Sequence, residues 1–136
     1  MSVHRPWSHQ TQLAAEASSG SRARAFVTGH LVDHGMAGLV EDVELVVSEL
    51  ATNAVVHAGS PFTVTLGASE ETVLLEVLDR AHTSPTLVAN RTLETSGRGI
   101  AIVQAVSRDW GVSELSSGGK SVWAVFDIDS ALVDEP

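Results

Sequence analysis

ELVVSELATNAVVHAG, residues Glu44 to Gly59, decides the fold, because it lies in the stretch with the clearest helical period of the chain, Leu39 to Ala58. At 100° per residue Val43, Val46, Val47, Leu50 and Ala54 form one apolar stripe, with Glu44, Ser48 and Thr52 on the far side. Gly59-Ser60-Pro61 stops the helix. The same stretch sets Glu49, Asn53 and His57 at a regular four-residue spacing. Glu49 and Asn53 are only about 40° apart and sit at the edge of the stripe, where half-buried polar groups need partners. Two readings fit. Either they bond to loops and neighbouring backbone, or a carboxylate and an amide oxygen one turn apart face a bound cation and a water. Such oxygen donors suit magnesium, which keeps several waters and shares its shell with phosphates. Zinc suits them poorly, since His57 is the only strong zinc ligand there and no second histidine or cysteine follows at metal-site spacing.

Working outward, Arg22 to His34 is predicted to be a helix after the polar cluster SSGS, with Ala25, Phe26, Gly29 and Val32, or else Val27 and Leu31, turned inward. Trp7 to Ala15 is ambiguous and reads as extended. Phe62 to Ala68 and Thr72 to Asp79 are rich in β-branched residues and flank the polar turn ASEET, which predicts a hairpin. Ala81 to Ser96 has no clear period and contains Pro85, so a long loop is expected, the kind that is usually functional. Gly99 to Ser107 is apolar almost all round and reads as a buried helix. Trp110 to Leu115 and Ser121 to Ile128 form a second hairpin about SSGGK. No repeat is visible. The predicted architecture is α+β, a two-layer sandwich whose mostly antiparallel mixed sheet is covered on one face by helices. Residues 1–128 are expected to be a single domain, and the acidic tail from Asp129 to Pro136 to fray.

At 136 residues the chain can bury roughly two thirds of its unfolded surface without staples. It contains no cysteine, which excludes a disulfide framework and a thiolate metal site. The opening MSVHRPWSHQTQ has no apolar run of signal-peptide length, and no segment has the roughly 18 apolar residues of a membrane span. A cytoplasmic location is expected. The net charge of −9 argues against broad contact with nucleic acid or anionic membrane. Any phosphate must be held locally, by backbone N–H groups, a cation or single arginines.

Two further stretches carry candidate chemistry. In SGRGIAIVQAV, Ser96 to Val106, two glycines flank an arginine at a helix start, where unpaired N–H groups and the helix dipole favour an anion. A tight turn before a helix looks the same, and the pattern is neither a Walker A loop nor a Rossmann fingerprint. Asp79 ends the apolar strand LLEVLD, as a solvated loop residue or as an acceptor for the exocyclic amine of a base.

In this order the pieces resemble the GHKL (Bergerat-fold) ATPases. SELATNAVVHA looks like their N box, LEVLD like the start of the G1 box, ETSGRGIAIV like the G2 box and GGKSVW like the terminal hairpin motif. The small size and the wording ELATNAVVHA and GGKSVWAVFDI are most similar to anti-sigma-factor serine kinases and related short bacterial ATP-binding regulators. The resemblance runs from about Ala23 to Asp127. It implies that Asn53 is a magnesium ligand bridging to the phosphates, and that Glu49 orients or deprotonates the attacking group. It further implies that Asp79 bonds the adenine amino group, with Ser121 nearby through water, in place of the family's threonine. Gly97 and Gly99 would offer N–H groups to the phosphates, and Arg98 would touch the outermost one. His57 has no implied chemistry and reads as structural.

One departure stands out. The G1 box usually continues Asp-x-Gly-x-Gly, whereas here the text is Asp79-Arg80-Ala81-His82-Thr83-Ser84-Pro85, a loop with less backbone freedom to close over base and ribose. No phosphoacceptor-histidine helix domain is present, so a complete sensor histidine kinase is not expected. The resemblance leaves two functional classes. In one, the protein is a serine kinase that uses ATP and magnesium to phosphorylate a small antagonist protein and sequesters a sigma factor, as a possible homodimer. In the other, it is a non-catalytic, nucleotide-gated binding module acting on a protein partner.

Overall fold

In the computed structural model, which describes residues 6–79, 97–116 and 118–128, the chain runs through β1 (Trp7–Leu13), α1 (Ser19–Asp33), α2 (Val40–Asn53), β2 (Phe62–Ala68), β3 (Thr72–Asp79), α3 (Gly97–Val106), β4 (Asp109–Glu114) and β5 (Lys120–Asp127). The strands form one sheet in the order β1-β2-β3-β5-β4, and each neighbouring pair is antiparallel. The predicted two-layer α+β architecture is therefore present, with a sheet that is antiparallel throughout the described residues and not mixed.

Alternation explains the layering. In β2 every second residue from Phe62 to Ala68 is buried, and in β3 Val73, Leu75, Val77 and Asp79 are buried while Leu74 stays exposed. These residues meet the α2 stripe of Val43, Val46, Val47, Leu50 and Ala51, with Phe62 and Phe126 fully inside. Burying a side chain such as Phe62 stabilises the fold by about 1.5–3 kcal/mol.

The α1 helix begins three residues earlier than predicted, because the serine cluster is its first turn. Ser18 is the N-cap without a side-chain cap bond, and the Ser19 hydroxyl donates to the Ala14 carbonyl at 2.6 Å. Its buried stripe is Ala23, Val27 and Leu31. Ala25, Gly29 and Val32, from the other predicted set, are exposed. The α2 helix is entered by a 3-10 turn at Ala37–Leu39 and extended by a π turn at Ala54–Ala58, closed by Gly59 in the left-handed region at φ 64°. The single helix expected over Leu39 to Ala58 is thus three consecutive helical forms.

The prediction for α3 needs correction. Of its described side chains only Val103 is buried, and Ala101, Gln104 and Ala105 are exposed. Among the described elements the helix packs against α2 and touches β4. A mostly apolar helix need not be enclosed on every side. In the last hairpin Gly118 and Gly119 have φ of 95° and 97°, which favours glycine at both positions. Gly111 of β4 lies under the Trp123 indole, where a Cβ would stand 2.5 Å from Cζ2. The expected long loop, Ala81 to Ser96, and the acidic tail lie outside the described residues.

Candidate functional site

Of the three described α-helices, α2 is the middle one. It packs against α1 and α3 and rests on β3, and the π turn that follows it also touches β3. Thr28 of α1 donates to Glu44, and Arg24 donates from Nη1 to Ser48 at 3.3 Å, so α1 takes the flank of α2 that carries Glu44 and Ser48. At 100° per residue Glu49 and Asn53 lie on the opposite flank, the side left for α3. Both are half-buried. Asn53 is the last residue of α2, immediately before the π turn, and π turns inside helices recur at functional sites. His57 lies within that turn, and its side chain is outside the described ones.

Gly97, Arg98 and Gly99 form the first turn of α3, so the helix N-terminus predicted for phosphate binding exists in the structure and belongs to the helix that packs on α2. The Arg98 side chain lies outside the described residues.

Asp79 ends β3 on the helix-covered face, and the register sets it opposite both Phe62 and Lys120. Its Oδ2 is 2.9 Å from the Lys120 Nζ, with both residues buried. Lys120 is the site residue that sequence reasoning missed. Its position directly after two glycines made it look like part of a turn, while its pairing with Asp79 depends on the register between β3 and β5. The structure also corrects the expected place of Ser121. Strand alternation turns Ser121 to the other face of the sheet, where its hydroxyl donates to Glu76 Oε2 at 2.5 Å. Lys120, not Ser121, stands beside Asp79.

The donor sets fit the expected ligands. A carboxylate oxygen beside an ammonium offers one acceptor and one donor, which matches the amino group and ring nitrogen of adenine. The Asn53 amide oxygen and the Glu49 carboxylate, on one flank, are hard oxygen donors of the kind magnesium takes, and Asn53 would hold it. Among the described residues no group of three histidines, cysteines or carboxylates is assembled to hold a metal by itself. A cavity of about 250 Å³ lined by Ala17, Gly20, Ala51, Thr52, Val55 and Val56 lies on the α1 side of α2 and is not part of this arrangement. No described helix is long and apolar enough to cross a membrane.

Comparison with known proteins agrees with the geometry. No curated protein matches the chain. A family model, that of the histidine kinase-like ATPase domain, matches residues 13–126, from the end of β1 to the end of β5. That span takes in Asn53 on the middle helix, Asp79 at the strand end and the glycines opening α3, and on it the chain belongs to the histidine kinase-like ATPase domain family.

Proposed function

We propose that the protein is an ATP- and magnesium-dependent regulatory serine kinase of the anti-sigma-factor type, acting in the bacterial cytoplasm. In this reading it phosphorylates a small antagonist protein and sequesters a sigma factor, alone or as a homodimer, and so regulates transcription without touching nucleic acid or membrane. The observation that carries the catalytic part is the placement of Glu49 one turn before Asn53, on the flank of α2 away from α1. A carboxylate there is suited to take the proton of a serine hydroxyl as its oxygen attacks the γ-phosphorus and ADP leaves. Magnesium, when bound at Asn53, supplies charge neutralisation of the phosphates. Backbone N–H groups of Gly97 and Gly99 hold the phosphates from the α3 terminus, and Arg98 adds charge at the outermost one.

The second reading, a nucleotide-gated binding module without catalysis, is favoured by the Asp79–Lys120 ion pair, which already engages the carboxylate meant for the base. One experiment separates the two. The protein is incubated with γ-labelled ATP, with magnesium or a chelator, in the presence of co-purified partners. Magnesium-dependent transfer of label to a partner serine supports the kinase. ATP binding without transfer to any partner supports the binding module.

A further inference from the structure

Away from Asn53 and Asp79, the described residues gather three imidazoles and an indole on the outer edge of the sheet. His9 projects from β1 on the helix-covered face, paired across the ladder with Leu66. His30 lies in the last turn of α1, and His34 caps it. The Nε2 atoms of His9 and His34 are 3.1 Å apart. His30 stacks on His9 with ring centroids 3.8 Å apart and 8° between planes, and Trp7 stacks on His34 at 3.9 Å and 5°. Phe26 meets His30 edge-on.

Two ring nitrogens this close need a positive centre between their lone pairs, either a shared proton or a metal. A separation of 3.1 Å suits an N–H···N hydrogen bond. It is also the chord between two metal–nitrogen bonds of about 2.0–2.1 Å meeting at about 98°, between the octahedral and tetrahedral angles. His30 and His34 are four residues apart at the end of one helix, the spacing by which helical zinc motifs bring two imidazoles to one ion.

We propose that His9, His30 and His34 form a site for a transition-metal dication of the zinc or copper(II) class, with His9 and His34 as the fixed pair. His30 becomes the third ligand by rotating out of its stack on His9, and water completes the shell. The rotation is needed because no three-ligand set is preassembled among the described residues. Metal binding requires neutral imidazoles. A bound ion would tie the edge strand β1 to the end of α1, a link independent of Asp79, Lys120 and Asn53.

The full chain, stripped with chelator and dialysed at pH 7.5, is titrated with zinc chloride by calorimetry and with copper(II) chloride by tryptophan fluorescence. One equivalent is expected to bind, zinc is expected to raise Tm, and copper(II) is expected to quench a fraction of the emission that Trp7→Phe removes while Trp110 and Trp123 remain. His9→Gln and His34→Gln should each weaken binding at least tenfold, the low end of about 10–100-fold for losing even an outer-shell partner. His30→Gln, which leaves the closer pair in place, should weaken it less and keeps the test informative if a strand substitution disturbs folding. Absence of a one-equivalent event in the wild type overturns the proposal. So does binding that survives His9→Gln and His34→Gln but is lost in a variant lacking His4, His57 and His82.

Discussion

Replacing Asp79 by asparagine removes the carboxylate that lies 2.9 Å from the Lys120 ammonium and leaves that buried cation without it. Breaking one side of a buried ion pair costs about 3–5 kcal/mol, because the remaining charge keeps its desolvation penalty. At this chain length 1 kcal/mol corresponds to roughly 3–5 °C in Tm, between the values for smaller and larger domains, so Asp79→Asn should lower Tm by ~10–20 °C. Lys120→Met, which leaves the carboxylate, should also destabilise. The double variant Asp79→Asn, Lys120→Met removes both charges from a buried position, and should recover to within ~1–2 kcal/mol of the wild type. The assay is urea and thermal denaturation of all four proteins at pH 7.5, with a common m value confirming that the denatured states are comparable. A coupling free energy of about 4 kcal/mol or more supports the pair as described. Single variants that cost under ~1 kcal/mol, the range of exposed pairs, or a double variant equal to the sum of the singles, would refute it.

Four other outcomes follow from the same geometry. Glu49→Ala should lower any phosphoryl transfer by about 10²–10⁴ while leaving ATP affinity within a few-fold, measured by label transfer and calorimetry on one preparation; a loss of stability with unchanged transfer would assign Glu49 a structural role. Lys120 gives the guanine carbonyl a donor that Asp79 alone would deny it, so the wild type should discriminate weakly between ATP and GTP, and Lys120→Met should widen the preference for ATP by about five- to a hundredfold, the equivalent of 1–3 kcal/mol for an unpaired polar group; an unchanged ratio would remove Lys120 from the base site. Gly111→Ala should destabilise by ~1–3 kcal/mol, because the new methyl meets the Trp123 ring at 2.5 Å, and Gly111→Ala with Trp123→Leu should recover part of the loss in the same denaturation assay. His30, its pKa held below the ordinary 6.5 by burial and by His9 and His34 against the pull of Asp33, binds fewer protons folded than unfolded, so metal-free stability should fall as pH drops through about 6.5, and His30→Gln should flatten that part of the Tm profile.

Much of this fold was legible because it rests on local patterns. The stripe Val43, Val46, Val47 and Leu50 and the strands Phe62–Ala68 and Thr72–Asp79 lie where periodicity puts them, since their burial follows directly from 3.6- and 2-residue repeats. The environment of α3 was not legible, because an apolar sequence does not say which of its sides a neighbour covers. Within the candidate site, Asn53 and Glu49 could be found from their offset to the stripe. The partner of Asp79 could not, since Lys120 and Ser121 alternate faces and only the pairing of β3 with β5 decides which of them turns inward. The imidazole cluster was hidden for a related reason: His9 is separated from His30 and His34 by more than twenty residues and joins them only because β1 takes the sheet edge beside α1.

The pairing of Asp79 with Lys120 also bears on how β5 finds its alignment along β3. A hairpin returning one residue out of step would flip every side chain of β5, carrying Lys120 and Phe126 to the open face and bringing Trp123 under the helices. Mis-seated apolar strands can compensate by trading one hydrophobic contact for another, whereas a buried carboxylate left facing Ser121 has no such exchange open to it. The charge pair therefore acts as a registration mark at the end of the ladder, and a chain without it would be expected to populate slipped alignments during refolding even where its final stability is restored.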